Sequence, residues 1–416
     1  MHDPGSPRAA RDARRNASDD TNRAAVRLTY ATAFFAFLLV NTARVLLSLY
    51  ALSLGADAFA VGTIGAMLYV LPLLLVWGVG MLFDRLGARW LLLFGAVCGM
   101  LGMLVPYFVH SLPALYAAAA LGGVAVAFSN VVLQGLLGNL SLPDERTRNF
   151  STFSMVVSVS SFSGPLLVGF TIDRLGHGAG CLVLAAAASA CVLLMLLKGG
   201  VLPAARPARA PGGNPLKSLA DPGIRRMLAV SSLMQFGVDL FQFYLPIYGH
   251  GIGLSASAIG VVLAAYAVAA LLVRFIMPWL IERLGEEGLL SWAFFLGAVL
   301  FLAVPLSRSA PLLALIAFLF GLCVGCGGPL TLMLMLGRSR AGRPGETLGL
   351  RLTVNYLTRM AGPTLCGFVA SMAGLLPVFF LNAIMMFAGG LLARPRSGAG
   401  TPGQPDSLKK QQSRAR

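Results

Sequence analysis

The chain has 416 residues, of which 57% are hydrophobic and only 12% are charged, and its mean hydropathy is +0.79. A water-soluble protein of this length needs far more polar surface, so the composition excludes an ordinary soluble fold. The formal net charge of +16 would suit a nucleic-acid binder only if the basic residues formed one exposed patch.

Twelve stretches are long and apolar enough to cross a membrane, because about 20 apolar residues span a ~30 Å hydrocarbon core as a helix. The backbone must satisfy its own hydrogen bonds in lipid, which favours helices, and the alternation typical of membrane β-strands is absent. The sequence therefore predicts an all-α, polytopic membrane protein. The predicted segments, in chain order, are 28–52, 60–83, 90–109, 113–138, 150–172, 181–199, 227–249, 257–281, 289–306, 311–336, 348–370 and 375–394.

The basic residues mark one side of this predicted membrane protein. Of the 32 Lys and Arg, 26 lie in the two tails, in the linker after the sixth segment or in the loops after the other even-numbered segments. Only Arg174 and Arg308 lie in the loops of the opposite side. This asymmetry follows the positive-inside rule and predicts that both termini are cytoplasmic. The charge therefore encodes topology, and we expect no nucleic-acid partner.

The two ends of the chain predict disordered cytoplasmic tails, residues 1–27 and 395–416, because they are rich in Arg, Gly, Pro, Ser or Gln. We expect the first tail not to be a signal peptide, since the apolar run behind it is too long and lacks a cleavage signature. Between the tails lie two membrane halves, 28–199 and 225–394. A cytoplasmic linker rich in Pro, Ala, Gly and Arg, residues 200–224, joins them.

Catalysis, metal binding and disulfides find little support in the sequence. The four His lie in a tail or at predicted periplasmic ends, and the Gly-x-x-x-x-Gly-Lys phosphate loop is absent. All six Cys lie at or within predicted segments, and the pair Cys323 and Cys326 has no second pair beside it, which favours packing. We therefore expect no enzyme activity, no cofactor and no metal.

The sequence repeats itself at an offset of 198 residues, without a gap over the aligned blocks. Two copies of six helices share one orientation and are related by an axis along the membrane normal, an arrangement typical of transporters. The offset aligns Tyr50 with Tyr248, Leu82 to Gly87 with Leu280 to Gly285, Gly164-Pro165 with Gly362-Pro363, and Gly169-Phe170 with Gly367-Phe368.

Residues 80–89 resemble the loop signature of the major facilitator superfamily, G-x-L-x-D-R-x-G-(R/K)-(R/K), which lies between the second and third helices of that family. Ala88 departs at one basic position. The resemblance implies that this loop latches the two halves on the cytoplasmic side. The matching residues are Gly80, Leu82, Asp84, Arg85, Gly87 and Arg89, and a degenerate copy with Glu282, Arg283 and Gly285 follows the eighth segment.

The fifth segment carries a second resemblance to the family. Its element Ser160-x-x-x-Gly164-Pro165-x-x-Val168-Gly169 is similar to the G-x-x-x-G-P-x-x-G-G element of the antiporters. The resemblance implies a twelve-helix major facilitator fold over 28–394, and gating by the fifth and eleventh segments. The eleventh segment carries the equivalent Gly362, Pro363 and Gly367.

Polar residues at membrane depth predict the pathway for substrate and protons, because charge in the bilayer is costly and is usually functional. Of the sixteen acidic residues, only Asp239 lies deep in a segment. Gln235 and Gln242 share its helix face at i, i+4 and i+7. The resemblance implies that the first, fourth, seventh and tenth segments line a central cavity. The other candidates are Asn41, Arg44, Asn130, Gln134, Asn355 and Arg359.

Each candidate also has a structural interpretation. The amides can join helices within one half, and Asp239 with Arg359 can form a structural ion pair. If Asp239 instead carries a proton, we expect Arg359 to contact it in only one conformation. Arg274 is expected to extend toward the cytoplasmic surface, and packing is favoured for Ser154, Ser158 and Ser161.

Two arginines, Arg44 and Arg359, against one Asp239 make the predicted centre net positive, which favours an anionic or zwitterionic solute. The fourth segment also lacks the arginine element of multidrug antiporters. We therefore expect a monomeric secondary transporter in a bacterial inner membrane, with proton-coupled efflux of an anionic, zwitterionic or neutral compound favoured by the antiporter-like element. Uptake of an organic anion by proton symport and a membrane sensor that does not transport are the alternatives.

Overall fold

The computed structural model of the chain describes residues 7–141, 145–203, 221–338 and 344–395. Most of the predicted linker and the C-terminal tail from residue 396 lie outside the described residues. Short 3₁₀-helices, Gly199–Val201 and Val304–Leu306, follow α5 and α8. The α-helices are α1 (Pro7–Ser53), α2 (Ala58–Leu86), α3 (Ala88–Phe108), α4 (Leu112–Leu140), α5 (Arg146–Lys198), α6 (Pro222–Gly251), α7 (Ala256–Leu284), α8 (Glu286–Ala303), α9 (Ala310–Val324), α10 (Gly327–Arg338), α11 (Pro344–Ala373) and α12 (Leu375–Ala393).

The first helix begins at Pro7, about twenty residues before the first predicted segment. The prediction of a disordered tail over 1–27 is therefore wrong from residue 7 onward. Residues 7–27 are rich in Ala and Arg, which have high helix propensity, so the local sequence does not stop the helix before the apolar run. Pro7 itself suits the first turn of a helix, where its missing N–H costs nothing.

Three predicted segments differ from the observed helices in how they are divided. α5 covers the fifth and sixth segments, and Gly176 between them has φ 85° and ψ 173°, so α5 consists of two helices that meet at a kink. The tenth segment divides into α9 and α10 around Gly325, in a glycine-rich stretch that weakens a continuous helix.

Ten helices are long and apolar enough to cross a membrane. One of them, Arg148–Val201, contains both parts of α5, and α11, which carries Arg351 and Arg359, is not among the ten. With the two parts of α5 counted separately and α11 included, the helices accommodate the twelve predicted crossings. Large apolar side chains such as Leu197 are exposed on the outside, as a lipid-facing surface requires. The chain is a multi-pass membrane protein.

The internal repeat is visible in the backbone. Each glycine with positive φ follows or interrupts a helix, and its backbone conformation is one that other residues adopt only with strain. The first half (α1–α5) and the second half (α6–α12) therefore share one backbone plan. The glycines form three pairs, each separated by 198 residues: Gly55 and Gly253 (φ 80° and 83°), Gly87 and Gly285 (76° and 70°), and Gly176 and Gly374 (85° and 80°).

These glycines also define the two ends of the helix bundle. Gly55, Gly176, Gly253 and Gly374 lie at one end, which we call the Gly55 end, and Gly87 with Gly285 lies at the other, which we call the Gly87 end. The positive-inside pattern predicts that the Gly87 end is cytoplasmic.

The two halves meet along two seams, α5 against α7 and α2 against α11. The seams are built alike. Gly62 lies against the carbonyl of Pro363 and Gly260 lies against the carbonyl of Pro165, and a Cβ at either glycine would be 2.5 Å from that oxygen. Only glycine permits such close contact of two helix backbones.

The aromatic residues of α6 form the centre of the core between the halves. Phe241, Phe243 and Tyr244 are each 1% exposed. Phe241 stacks on Phe320 of α9 with ring centroids 4.3 Å apart, and Phe243 packs against Gly65 of α2 in the other half. Because α6 is fixed on both sides by these contacts, polar residues on it have defined positions.

Candidate functional site

Asp239 lies on α6 among these aromatic residues and is 4% exposed. Gln235, one turn earlier on the same face, donates from Nε2 to Oδ2 of Asp239 at 2.7 Å. A carboxylate at this depth is tolerated only when opposite charges or hydrogen-bond donors surround it.

Two arginines from different helices compensate the charge of Asp239. Arg359 of α11 donates from Nε to Oδ2 at 3.0 Å, and Arg44 of α1 donates from Nη1 to Oδ1 at 3.0 Å. α11 belongs to the same half as Asp239, whereas α1 belongs to the other half. One ion pair therefore lies within the second half, and the other joins the two halves.

Arg44 is almost fully enclosed, with 7% of its surface exposed. Its Nη2 also donates to Oε1 of Gln242, on the turn of α6 that follows Asp239. Its Nε is buried and has no hydrogen-bond partner in the part of the chain that the structure describes. A buried N–H without an acceptor costs about 1–3 kcal/mol, so Arg44 retains one donor for a further acceptor.

Arg359 also interacts with the first half. Its guanidinium carbon lies 5.3 Å from the ring centroid of Tyr69 on α2, close enough for a cation–π interaction. The sequence analysis missed Tyr69, because an aromatic residue inside an apolar segment carries no signal that separates a site residue from a core residue. Together these contacts give a buried centre of two cations and one anion, with a net positive charge.

The repeat relates this centre to a neutral counterpart. Asn41 is the equivalent of Asp239, and Ser161 is the equivalent of Arg359. Nδ2 of Asn41 donates to Oγ of Ser161 at 2.8 Å, so the same two helix positions are joined in both halves. Ser161, for which the sequence favoured packing, is thus a polar partner of α1.

The remaining pathway candidates lie apart from Asp239. Asn130 donates to the carbonyl of Val126 on its own helix at 3.0 Å, and Gln134 is exposed. Asn355 accepts a long hydrogen bond of 3.5 Å from Ser231 of α6. Of the eight predicted residues, the structure brings Arg44, Gln235, Asp239 and Arg359 into direct contact, and places Asn41 beside them on α1.

The predicted gate loop lies at the Gly87 end. Gly87 ends α2 and donates its N–H to the carbonyl of Phe83 at 3.0 Å, and Gly285 repeats this with Ile281 at 2.8 Å. Arg89 donates to the carbonyl of Leu196 at 3.2 Å, within its own half.

The acidic and basic residues of the two loops make few contacts. Asp84 has neither a hydrogen bond nor an ion pair to any residue that the structure describes. Gly80 faces open space, Arg85 and Glu282 are exposed, and Arg283 lies over the ring of Trp279 at 4.4 Å.

The predicted gating element of α5 and α11 begins with contacts inside each half and continues into the seams. Gly164 and Gly362 each pack against the first helix of their own half. Gly164 lies against Thr42 of α1, and an ideal Cβ at Gly362 would lie 3.2 Å from the ring of Phe236 on α6. One or two turns later, an ideal Cβ at Gly169 would lie 2.5 Å from the carbonyl oxygen of Ala256. The equivalent Cβ at Gly367 would lie 2.9 Å from that of Ala58, so these glycines contact the opposite half.

An additional contact between the halves closes the Gly55 end. Asp173 of α5 accepts from the backbone N–H groups of Ala256 at 2.9 Å and Ser257 at 2.8 Å, and also from the Ser257 hydroxyl. It thereby caps the N-terminus of α7 in the other half, which is favourable by hydrogen bonding and by the helix dipole. The repeat places Ser371 at the equivalent position, so this cap exists in one copy only.

Metal binding has no support in the described residues, because no group of three or more His, Cys, Asp or Glu could hold an ion there. All six Cys are free, and five of them are buried.

Comparison with known proteins identifies the family. The profile of the Major Facilitator Superfamily matches residues 29–363 and, in a second match, residues 227–415. The chain belongs to this superfamily. Two curated superfamily relatives come from Bacillus subtilis (strain 168). The uncharacterized MFS-type transporter YuxJ is 25% identical over 252 residues, which are 58% of this chain and 64% of that relative. Multidrug resistance protein 2 is 21% identical over 318 residues, which are 74% of this chain and 79% of that relative.

Solved transporter structures have the same fold. A mutant of the nucleoside transporter NupG has a TM-score of 0.75 at 14% identity, covering 89% of this chain and 98% of that one. The peptide transporter POT in complex with sulfate has a TM-score of 0.72 at 15% identity, covering 89% and 93%. The chain therefore has the major facilitator fold and belongs to a superfamily that includes membrane transporters.

Proposed function

We propose that this superfamily member carries a small organic anion across a bacterial inner membrane together with a proton, by alternating access, with Asp239 as the proton-carrying group. The observation that carries the proposal is the buried ion pair between Arg44 of the first half and Asp239 of the second. We further propose that the Gly87 end faces the cytoplasm and that the protein acts as a monomer.

Alternating access requires the two halves to tilt against each other, so contacts between the halves must change while those within a half persist. The sequence favoured Arg359 as the partner that Asp239 meets in only one conformation. Arg359 shares a half with Asp239, and therefore Arg44 is the better candidate for that role. When Arg44 withdraws, a proton can take the place of the lost positive charge on Asp239.

The same contacts couple the solute to the proton. An acidic group of the solute and the carboxylate of Asp239 compete for the guanidiniums of Arg44 and Arg359. Protonation of Asp239 frees these donors, so the anion binds best when the proton is bound. Such positive linkage favours symport over antiport. The sequence favoured efflux by antiport and gave symport as the alternative, so this order is reversed.

Efflux by proton antiport, of an anionic, zwitterionic or neutral compound, is the second candidate. Two observations favour it: the element with Gly164, Pro165 and Gly169, which resembles that of antiporters, and the likeness to Multidrug resistance protein 2.

The Gly55 end is closed by the seam glycines and by Asp173, whereas Asp84 at the Gly87 end lacks a partner among the described residues. We infer that this conformation opens toward the Gly87 end, and that the loop with Asp84 latches the halves in the opposite conformation.

Proton movement in proteoliposomes separates the candidates. Cells with and without the gene are first screened with organic acids, neutral amphenicol-like compounds and cationic dyes to find a transported solute. That solute is then added outside proteoliposomes that contain a pH indicator. Symport acidifies the lumen and antiport makes it alkaline. Transport of cationic dyes with no response to any organic acid would contradict the proposal.

A further inference from the structure

Two more arginines lie within helices α7 and α11, on the side of Asp239 that faces the Gly87 end. Arg351 precedes Arg359 by two turns of α11, about 12 Å along the helix. Arg274 follows Tyr266 of α7 by two turns, and the Tyr266 ring lies 5.6 Å from that of Phe241 on α6, close to Asp239 in sequence. Because α7 and α11 run in opposite directions, both arginines lie at a similar depth.

Among the described residues, Arg351 binds only neutral acceptors. Its Nε donates to Oγ of Ser231 at 3.0 Å, and its Nη2 donates to the carbonyl of Gly328 at 3.2 Å and to Oγ1 of Thr331 at 3.1 Å. These partners belong to α6 and α10, so Arg351 points toward the helices of the second half rather than toward lipid.

The acceptors that the structure describes for Arg274 are also neutral, and they belong to the opposite half. Its Nη1 donates to the hydroxyls of Ser154 and Ser158 on α5, the second at 3.3 Å, and its Nε is buried without a partner among the described residues. Ser154 and Ser158 share a helix face with Ser161, which binds Asn41 of α1. Arg274 therefore points into the bundle and does not extend to the surface as the sequence suggested.

Neither arginine forms an ion pair with any carboxylate that the structure describes. A guanidinium in a low-dielectric site without a counter-charge is unfavourable and attracts anions strongly. With Arg44 and Arg359, four guanidiniums lie along this route, and Asp239 is the only carboxylate that binds any of them among the described residues.

We propose that Arg274 and Arg351 form an anion-selective vestibule between the Gly87 end and Asp239, in which the acidic group of the solute binds before it reaches Arg44 and Arg359. The inference rests on the proposed transport function and narrows its substrate class to solutes with a carboxylate or a similar oxyanion. Neutral compounds gain no charge attraction from two guanidiniums that have no carboxylate partner among the described residues, and cations are repelled by them.

Charged thiol reagents test the vestibule without knowledge of the solute. The six native Cys are replaced by Ser or Ala, and a reporter is introduced as Asn355→Cys, between Arg351 and Arg359, or as Ser158→Cys, beside Arg274. The rates of modification by anionic methanethiosulfonate ethylsulfonate and cationic methanethiosulfonate ethyltrimethylammonium are measured on the purified protein. The rate with the anionic reagent is divided by the rate with the cationic reagent. This ratio is then normalised to the same ratio measured for the free thiol 2-mercaptoethanol.

If the vestibule exists, each reporter reacts at least about five times faster with the anionic reagent than with the cationic one, after normalisation to 2-mercaptoethanol. This is the size of effect expected for a nearby unit charge. Arg351→Gln lowers the ratio at residue 355 about fivefold, and Arg274→Gln does so at residue 158, whereas Arg351→Lys and Arg274→Lys preserve it. Arg225→Gln, which removes an exposed charge at the same end, is the matched control and leaves the ratio unchanged. If a Gln variant does not fold, the ratio in the parent still falls as NaCl is raised, because salt screens the charges.

A ratio near that of the free thiol, or reporters that react with neither reagent, overturns the proposal. Nanodiscs of neutral and of anionic lipid separate a solute vestibule from a site for lipid phosphate. The vestibule predicts equal ratios in both, and a ratio suppressed only by anionic lipid assigns the arginines to headgroups and contradicts it. Labelling requires no transport, so the two proposals can fail separately. A high ratio of anionic to cationic labelling in a protein that transports no organic acid would contradict the proposed function and still support the vestibule.

Discussion

The two halves place different chemistry at the same positions of the repeat. In the first half, Asn41 of α1 and Ser161 of α5 form a neutral hydrogen bond, and in the second half Asp239 of α6 and Arg359 of α11 form an ion pair. Both halves join these two helix positions by a polar side-chain contact, and the first half does so without charge. The charged version therefore exceeds what packing requires, and Arg44, which crosses from the first half to Asp239, connects it to the motion of the halves.

Loss of the ion pair between Asp239 and Arg359 should have the largest effect on stability. Arg359→Gln leaves Asp239 with one guanidinium, and we expect the free energy of unfolding to fall by roughly 2–4 kcal/mol, since removal of one partner of a buried pair is strongly destabilising. Ser161→Ala removes the equivalent neutral contact and should cost about 0.6 kcal/mol. Thermal unfolding of the purified variants compares the two. Equal losses would mean that both contacts serve packing alone.

The double variant Asp239→Asn with Arg359→Gln sharpens this comparison, because it makes the second half neutral like the first. We expect stability to recover and proton-driven transport to stay absent. Full recovery of proton-driven flux would show that the ion pair is structural.

A side chain added in a seam between the halves should have the next largest effect. Gly169→Ala places a Cβ 2.5 Å from the carbonyl oxygen of Ala256 in the opposite half, so the seam must open, at a cost of about 1–3 kcal/mol. We expect transport to fall about tenfold. Gly78→Ala, in open space on α2, is the control and should transport normally. Normal transport by Gly169→Ala would exclude tight closure at this seam.

The aspartates at the two ends should have smaller and opposite effects. Asp173→Asn weakens the cap on α7 and should slow labelling of the Asn355→Cys reporter two- to fivefold, because about 0.3–1 kcal/mol of helix-dipole energy favours the present conformation. Asp84→Asn should speed the labelling, with the protein still abundant in the membrane, since it weakens the opposite conformation. Changes in the same direction would refute the assignment of the two ends to two states.

The smallest effect is expected at Asn130, whose amide donates to the carbonyl of Val126 on its own helix. Asn130→Ala should change stability by less than about 0.5 kcal/mol and transport by less than twofold, because a helix satisfies that carbonyl without it. A larger loss of transport would place Asn130 in contact with the solute.

The sequence predicted the fold well because two strong signals agreed: apolar segments of membrane length and a repeat that holds one register over the chain. It also singled out Asp239 and Arg359, since a charge inside an apolar segment is rare and is read directly. It could not assign their partners. The spacing of residues gives a helix face, but the helix that the face meets depends on packing between the halves, so Arg44 and Tyr69 were not recognised as partners of this pair.

Other differences have local causes. The start of α1 was missed because an Arg- and Ala-rich stretch suits both a polar tail and a helix. The cap by Asp173 was missed because an acidic residue at a segment end is ordinary. The link between Ser161 and Asn41 could have been found, since the offset of 198 residues relates it to Asp239 and Arg359.

Transport by Asp239→Asn in proteoliposomes, with the solute identified in the screen, tests the role of Asp239 most directly. Asn resembles the protonated acid, so it leaves Arg44 and Arg359 free for the anion but carries no proton. We predict that exchange of labelled for unlabelled solute persists, whereas accumulation driven by a pH gradient is abolished. Accumulation that still responds to the gradient, or loss of exchange in a folded protein, would contradict the assignment of proton coupling to Asp239.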